Sequence, residues 1–485
     1  MFRRDRSQTL SCNSWGFNVL TILAFIAALG VLVAIHEYGH YRVAVACGIK
    51  VLKFSIGFGK PIYSWHLKGK PTVFSIGMLP LGGYVKMLDE REAPVDASER
   101  HLAFNTQPLR SRAAVVAAGP LANLLLAIGL YSVLNWTGIE QPKALLASPV
   151  PGSVAEQAGL RGQEWVQQAG FAGQEMQTVR SFEDLRWRLL QGALNGQDVR
   201  LGVSLLSQGQ SESTPARPLK EVVLKLSEVK TAEVDAKLFR KIGIVGPWTQ
   251  PVIGQTTPGG AAAKAGLMPG DRVQKIDQTD VVDGQQLRET IRASKLVTAA
   301  VGASVAVPQS WQVLRGAKVL VLQVNPDLVP EGKTFTARIG AYIGAPPEFV
   351  TVRYGFFEGL WQGTVHTYDS SVLTLKMMGR MLTGQASLKN LSGPLTIADY
   401  AGKSAALGWI PYLLFVAAIS VSLGVLNLLP LPVLDGGHLM YYLWEAVTGR
   451  SVSDAWMERL QRGGVAALVC MMSIAFFNDV TRLLG

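Results

Sequence analysis

The chain has 485 residues, of which 17% are charged and 48% are hydrophobic. Soluble globular proteins carry about 25% charged residues, so this composition excludes an ordinary soluble enzyme, and the apolar content excludes a disordered chain. The formal net charge is +11, but the Lys and Arg residues form no basic block of the kind that binds nucleic acid. An integral membrane protein is the class that remains.

Four uncharged runs, each bounded by charged residues, are candidates for membrane spans. They cover residues 15–35, 113–139, 404–434 and 463–478. The first three reach the roughly 20 apolar residues that a spanning helix needs. Arg459 and Arg462 flank the shorter fourth run, and such side chains can reach the membrane surface from inside it. We therefore expect a polytopic α-helical protein with transmembrane helices at 15–40, 113–139, 404–440 and 456–481.

The first run also has the arginine-rich start of a secretory signal. It ends, however, at His36-Glu37 rather than at a small-residue cleavage site, which favours a retained span.

The segment 41–112 holds eleven Lys or Arg residues against five Asp or Glu. The positive-inside rule places it in the cytoplasm, although the three arginines of the N-terminal extension 1–14 argue for the opposite orientation. With four spans the loop 140–403 is then external.

The external loop contains a repeat. Residues 151–170 and 258–277 are identical at eight of twenty positions. Each copy predicts an Ala-rich helix that ends at Gly159 or Gly266, followed by a strand. Both copies resemble the signature of PDZ domains, the second more closely. We expect α+β PDZ domains at 140–232 and 240–328, with compact β-rich modules that lack a peptide groove as the alternative.

Residues 350–403 connect the second module to the third span. Within 351–384, apolar residues recur every three or four positions, which predicts an amphipathic helix. Such a helix either rests on the outer leaflet or packs against the two modules.

The motif His36-Glu37-Tyr38-Gly39-His40 directly follows the first apolar run. Spacing of i, i+4 places both imidazoles on one face of a helix, where two nitrogens can bind one Zn²⁺. Glu37 then lies beside the metal-bound water as a general base. Ionisable residues at membrane depth are costly and usually functional, so the sequence predicts a catalytic metal site here.

A catalytic zinc takes a third protein ligand. Asp435 closes the third apolar run, and because spans one and three run in the same direction, it is predicted to meet His36 and His40 at the cytoplasmic side. His438 is a rival ligand three residues further on. Pro430 and Pro432 prevent a regular helix just before Asp435, which a water-accessible site tolerates but lipid does not.

The chain resembles the site-2 proteases, the intramembrane zinc metalloproteases of peptidase family M50. The resemblance rests on the first-span motif together with the segments Gly119–Asn123, Pro80–Met87, Asn390–Pro394 and Asn427–Gly436. It implies zinc bound by His36, His40 and Asp435, and Glu37 as the catalytic base. It also places Asn427 near the metal as a donor to the oxyanion or the substrate backbone, with the freed carbonyls before Asp435 as its alternative partners.

The segment 51–87 alternates apolar and polar residues in places, which predicts a small sheet on the cytoplasmic side. Its edge could hold an unwound substrate by strand addition, and the resemblance supports this because the family has a membrane-embedded sheet there. The predicted substrate-binding residues are Gly82, Gly83, Tyr84, Asn390, Pro394, Pro430 and Pro432.

We therefore predict hydrolysis of peptide bonds in the transmembrane segment of single-span proteins. The resemblance implies trimmed anti-sigma factors as substrates, a bacterial inner membrane location, and a size filter formed by periplasmic PDZ domains. Capture of carboxyl-terminal peptides is the competing role for those domains, and no nucleic acid partner is expected. The alternative function is a membrane-tethered PDZ scaffold with a non-catalytic metal site. A transporter is disfavoured, because the repeat is extramembrane and in direct orientation.

Overall fold

The structure is a computed structural model that describes residues 19–66, 68–69, 71–205, 219–229, 236–297, 304–331, 334–384 and 393–484. The chain divides into two compact units, one formed by Met1–Ile139 with Arg353–Gly485 and the other by Glu140–Val352. The N-terminal extension 1–14 and Asn390 lie outside the described residues.

The helices and strands of the described residues are numbered in chain order. The helices are α1 (Val19–Ala46), α2 (Leu109–Thr137), α3 (Val154–Gln157), α4 (Phe182–Asn195), α5 (Ala236–Ile242), α6 (Ala261–Lys264), α7 (Gly284–Ala293), α8 (Phe356–Leu382), α9 (Pro394–Leu407), α10 (Trp409–Asn427), α11 (Asp435–Thr448) and α12 (Asp454–Leu484). The first nine strands are β1 (Val51–His66), β2 (Val73–Met87), β3 (Ile139–Pro142), β4 (Glu164–Phe171), β5 (Gln177–Thr178), β6 (Val199–Leu205), β7 (Lys220–Leu224), β8 (Ile253–Thr256) and β9 (Arg272–Ile276). The others are β10 (Thr279–Asp280), β11 (Lys295–Val297), β12 (Ser304–Ala306), β13 (Gln309–Arg315), β14 (Lys318–Val324), β15 (Asp327–Glu331), β16 (Thr334–Arg338), β17 (Ala341–Ile343) and β18 (Phe349–Val352).

Four helices of the described residues are long and apolar enough to cross a membrane. They are Val19–Ala46, Leu109–Thr137, Trp409–Asn427 and Ala455–Thr481, and they confirm the predicted number of spans. The predicted third span, 404–440, is divided in the structure: α9 ends at Leu407, α10 ends at Asn427, and α11 begins at Asp435. Pro430 and Pro432 lie in the interruption, where proline cannot continue a helix.

The first two spans approach each other closely. A Cβ atom added at Gly39 of α1 would lie 2.4 Å from the Ala118 carbonyl oxygen of α2, so only glycine permits this distance. The third span joins them, because the Ser420 hydroxyl of α10 donates to the Asn123 carbonyl of α2 at 2.7 Å. Leu32, Ala127 and Val416 are buried among these helices. Three spans therefore form one packed group around the motif on α1.

Strands β1 and β2 bend so that each contributes two segments to a small sheet. Phe54 of β1 is paired with Val85 on one side and with Phe74 on the other. On the side of the second segment of β2, Ile56 is paired with Gly83 and Val51 is paired with Met87. The segment 83–87 is therefore an outer edge of the sheet, because the described strands give it a partner on one side. The rings of Tyr41, Phe54 and Phe74 pack together and seat the sheet on α1.

The amphipathic helix predicted after the second module is α8, and its first half packs against the second span. The Asn135 side chain donates to the Gly359 carbonyl at 3.0 Å, and the Trp136 indole donates to the Phe356 carbonyl at 2.9 Å. A Cβ at Gly363 would lie 2.6 Å from the Ser132 hydroxyl. This half of α8 is thus held by the second span, while Phe357, Trp361 and Tyr368 stay exposed.

The second unit contains two sheets of the same strand order. One is β5-β4-β6-β7 and the other is β10-β9-β13-β14. The first is packed against Leu185 and Leu189 of α4, and the second surrounds the fully buried Trp311. The equivalent residues Gln163 and Gly270 both take a positive φ, 66° and 94°. The two turns differ one residue earlier, since Gly162 has a φ of 96° where the second module has Pro269.

Two polar contacts join the modules within this unit. Asp283 caps α7 by accepting from the Gln286 amide at 2.8 Å, and its second carboxylate oxygen accepts from the Ser148 amide of the first module at 2.7 Å. Arg240 lies on α5, whose Leu238, Phe239 and Ile242 pack in the core of the first module. It forms a bidentate pair with Glu289 of α7, with both distances at 2.7 Å. Asp283 is fully buried, so the link is shielded from water.

Candidate metal centre

Three side chains from distant parts of the chain converge at one point between α1 and α11. The Nε2 atoms of His36 and His40 lie 3.2 Å apart. The Oδ2 atom of Asp435 lies 3.2 Å from His36 Nε2 and 3.6 Å from His40 Nε2. Ligands about 2.0 to 2.2 Å from a tetrahedral zinc lie about 3.3 Å from one another. The three donor atoms therefore fit one zinc ion.

The second nitrogen of each histidine has a partner on α2. His40 Nδ1 lies 2.8 Å from the Val115 carbonyl oxygen, which can only accept, so Nδ1 carries the proton and Nε2 is left for a metal. His36 Nδ1 lies 3.3 Å from Asn123 Nδ2, while Asn123 Oδ1 is buried without a partner. Turning the amide by 180° preserves its shape and lets Oδ1 accept from the His36 Nδ1–H, which leaves His36 Nε2 for a metal.

The close fit around His40 explains a glycine on α2. A Cβ atom added at Gly119 would lie 2.2 Å from His40 Nε2. At Asp435 two glycines act similarly: a Cβ at Gly436 would lie 2.1 Å from the Leu429 carbonyl oxygen, and one at Gly437 would lie 2.3 Å from that of Leu431. The chain after Asp435 therefore turns tightly against the proline-containing segment before it.

The metal group lies in a polar cavity of about 750 Å³. Glu37 lines this cavity beside His36 and His40, and so do Gly83 and Tyr84 from the sheet edge. A Cβ at Gly83 would lie 2.9 Å from Glu37 Cγ, so the edge strand passes directly beside the predicted base. The cavity is large enough for a water molecule next to the three ligands.

Several other predicted residues lie around this group. Gly82 has a φ of 92° and packs against Phe58, and Pro432 contacts Gly437 and Gly464. Pro430 lies in the same interruption before α11. Asn427 ends α10 and is not among the described residues that line the cavity. His438 lines the cavity, but the donor group formed by the described residues contains Asp435 and not His438.

Pro394 begins α9, whose N-terminus is bound by a carboxylate of the fourth span. Asp479 accepts from the amides of Gly393, Leu395 and Thr396 at 3.0 to 3.1 Å and from the Thr396 hydroxyl at 2.6 Å. Sequence reasoning missed Asp479, and it missed the role of Asn123. The signal for Asp479 was its place as the acid that directly follows the fourth apolar run.

Comparison with known proteins identifies the family. The model of peptidase family M50 matches residues 24–471. The chain belongs to peptidase family M50, the site-2 proteases. It is 38% identical over 476 residues to a putative zinc metalloprotease of Ralstonia nicotianae, covering 96% of this chain and 99% of the relative.

Two further relatives bear more specific names. The chain is 37% identical over 469 residues to the regulator of sigma-E protease RseP of Salmonella typhimurium, covering 95% and 98% of the two chains. It is 36% identical over 475 residues to the protein of the same name from Escherichia coli, with the same coverage. The predicted family is thus confirmed, and this protein is a membrane metalloprotease whose His-His-Asp group could hold zinc.

Proposed function

We propose that this protein is an intramembrane zinc endopeptidase that cleaves the transmembrane segment of single-span proteins. The observation that carries the proposal is the convergence of His36, His40 and Asp435 beside Glu37, in a polar cavity between helices long enough to span a membrane. A polar cavity at membrane depth has a high cost unless it serves transport or chemistry.

The side chains have separate roles in this reaction. His36, His40 and Asp435 hold the zinc, which when bound supplies Lewis acidity to water and to the scissile carbonyl. The Glu37 carboxylate accepts a proton from the attacking water as the water oxygen bonds to the scissile carbonyl carbon, and then delivers this proton to the leaving nitrogen as the C–N bond breaks. Val115 and Asn123 fix the imidazole orientations.

A helical substrate must unwind before its peptide bonds can be attacked. The outer edge at 83–87 offers unpaired backbone groups beside Glu37, and an extended segment can add to it as a further strand. Gly82 and Gly83 permit close approach of the substrate backbone, and Tyr84 lines the cavity next to them. We assign substrate binding to this edge.

Other predicted contacts with the substrate concern segments near the site. Pro394 begins α9, and the hydrogen bonds from Gly393 and Thr396 to Asp479 support a fixed position for this end of the helix. We assign substrate contact to Pro394 and to Asn390, which lies outside the described residues. Asn427 ends α10, and Pro430 and Pro432 lie in the interruption before Asp435. We assign Pro430 and Pro432 to substrate contact. We assign Asn427 to hydrogen bonding with the substrate backbone.

The distribution of charged residues supports an orientation of the chain in the membrane. The eleven basic residues of 41–112 favour the cytoplasm for the loop that carries the sheet, so the zinc site opens to the cytoplasmic side of a bacterial inner membrane. The second unit is then periplasmic. Its two sheets of equal strand order support a pair of PDZ domains. The buried hydrogen bonds of Asp283 between the modules support a size filter more than independent peptide capture.

The names of two relatives support a natural substrate class. Two of them are named regulators of sigma-E protease, which supports an anti-sigma factor, trimmed outside the membrane, as the substrate. The second candidate, a PDZ scaffold with a non-catalytic metal site, is disfavoured by the position of Glu37 within the cavity.

The decisive experiment is cleavage of a single-span model protein by the full chain in liposomes with zinc. Glu37→Gln should abolish cleavage and retain zinc, because the carboxylate accepts a proton and is not one of the three ligands. Glu458→Gln, at an exposed position on α12, is the matched control and should cleave normally. Cleavage by the Glu37→Gln protein would contradict the mechanism.

A further inference from the structure

One face of α2 carries the groups that orient the two histidines. The Val115 carbonyl oxygen lies 2.8 Å from His40 Nδ1, and the Asn123 amide lies 3.3 Å from His36 Nδ1. Residues separated by three, four, seven or eight positions share one face of a helix. Arg112 lies three positions before Val115 in the same helix, so its side chain starts from this face as well.

Arg112 joins α2 to α11, the helix that begins with the third ligand, Asp435. The two terminal nitrogens of its guanidinium donate to the two carboxylate oxygens of Glu445 at 2.6 and 3.3 Å. The same guanidinium lies 5.2 Å from the centre of the Tyr442 ring, and its Nε donates to the Gln107 carbonyl at 3.1 Å. The arginine and glutamate side chains are 17% and 23% exposed, so this ion pair is largely shielded from water.

The position of Asp435 depends on how α11 is held. Residues 428–434 separate α11 from α10, so the spanning helix does not set the direction of α11. Contacts of Gly436 and Gly437 fix the place where α11 begins, whereas Glu445 lies about 15 Å further along the axis. Among the described residues, Asp435 and Glu445 are the α11 side chains with polar contacts to another helix. The pair with α2 therefore fixes the direction of the α11 axis.

The donor atoms of the metal group tolerate little displacement. Asp435 Oδ2 lies 3.2 and 3.6 Å from the Nε2 atoms of His36 and His40, and zinc binds its oxygen ligands at about 2.0 to 2.2 Å. We infer that Arg112 is a positioning residue that holds Asp435 in the ligand geometry through Glu445 and α11. One face of α2 then orients all three ligands. This inference rests on the proposed zinc site and adds the residue that orients its third ligand.

The test measures the zinc affinity of the full chain in detergent, with free zinc set by graded chelator. Arg112→Gln should weaken zinc binding about 10-fold, the lower end of the usual effect of losing a group that orients a metal ligand. In an Asp435→Ala background the same substitution should change the affinity by less than about twofold, because the ligand through which Arg112 acts is absent. An equal loss in both backgrounds would overturn the inference.

Cobalt(II) bound in place of zinc gives a readout that a general loss of stability does not change. Its absorption spectrum depends on the number and geometry of the ligands. Arg112→Gln should shift the spectrum towards that of Asp435→Ala, because the carboxylate leaves its position. A protein that is only less stable would keep the wild-type spectrum in its folded fraction, and this result would contradict the positioning role.

A milder variant and a matched control complete the test. Glu445→Gln keeps an oxygen acceptor for Arg112 and should weaken zinc binding about threefold, since charge-assisted hydrogen bonds are roughly twice as strong as neutral ones. Arg100→Gln removes an ion pair with Glu90 outside the cavity and should bind zinc as wild type does. Wild-type affinity in Glu445→Gln would overturn the inference and leave the proposed protease intact. If wild type binds no zinc, the proposed function fails and the inference with it.

Discussion

Asn123 and His36 form a contact across 87 residues of sequence, with 3.3 Å between the amide nitrogen and Nδ1 of the imidazole. The other amide atom of Asn123 is buried without a partner. A metal-ligating histidine usually donates its second N–H to an acceptor, which fixes its tautomer. The contact therefore assigns Asn123 the orientation that places Oδ1 on His36 Nδ1, with Nε2 facing Asp435.

The first prediction concerns this acceptor. Asn123→Leu should lower zinc affinity about 10- to 100-fold, the usual effect of losing a partner behind a metal ligand. Asn123→Asp keeps an acceptor and should retain most of the affinity. Zinc content after dialysis against graded chelator measures both. If the Asp variant loses zinc as readily as the Leu variant, the amide is a donor and the assignment is wrong.

The second prediction concerns the space around His40. Gly119→Ala would place a Cβ 2.2 Å from His40 Nε2, so the imidazole must leave its position. We expect zinc affinity to fall about 100-fold, as for a displaced ligand orientation, with loss of cleavage. Gly129→Ala is the control on the same helix, because no atom lies within 4 Å of its added Cβ. Normal zinc binding by Gly119→Ala would contradict the packing described.

The third prediction concerns the clamp on α9. Asp479 is 2% exposed and accepts four hydrogen bonds from Gly393, Leu395 and Thr396. Asp479→Ala leaves buried donors unsatisfied and should cost about 1 to 3 kcal/mol of unfolding free energy. Asp479→Asn, which keeps one acceptor, should lose less. Thermal unfolding in detergent provides the measurement, and exposed Asp399→Asn should be neutral. Equal stability of the Ala variant and wild type would refute the clamp.

The fourth prediction concerns pH and the second module. The Arg315 guanidinium hydrogen bonds to Asp271 and holds the pKa of that carboxyl below its usual value. A lowered native pKa stabilises the module above the unfolded pKa of about 3.9, and this contribution is lost as the pH falls towards the native pKa. Asp271→Asn should therefore destabilise the module at pH 7, and this effect should decrease as the pH falls below the unfolded pKa.

Hydrogen exchange of peptides from β9 and β13, followed from pH 7 to pH 3 and corrected for the intrinsic rates, measures this dependence. The exposed Asp280→Asn, which removes a contact with Lys275, should leave the profile of wild type unchanged. A constant difference between wild type and Asp271→Asn across the whole range would show that the charge pair is not responsible.

Much of the fold and of the metal group could be predicted from the sequence. The spans follow from uncharged runs, and the ligands follow from i, i+4 spacing and from one acid at the end of another apolar run. The interruption of the third span was visible in Pro430 and Pro432, but the new helix from Asp435 depends on Gly436 and Gly437 fitting against the Leu429 and Leu431 carbonyls. Such contacts are part of the tertiary packing and produce no periodic pattern in the local sequence.

Contacts between residues that are far apart in the sequence could not be predicted from the sequence. Asn123 belongs to the segment Gly119–Asn123, which carries part of the resemblance. Its role could not be predicted, because its contact with His36 depends on how α2 packs against α1. Asp479 was not identified, because its partners are backbone amides of α9. Asn427 was placed near the metal by resemblance, and in the structure it ends α10 without lining the cavity.

The carboxylate of Asp283 serves two modules at once, since one oxygen caps α7 and the other binds Ser148. A recombinant fragment that begins after the first module would leave this buried oxygen facing solvent and the Arg240 side of Glu289 unpaired. Isolating either module for ligand studies therefore alters the surface under study. Fragments for crystallisation or peptide binding should span both modules, and a hinge engineered between them should begin by separating Ser148 from Asp283.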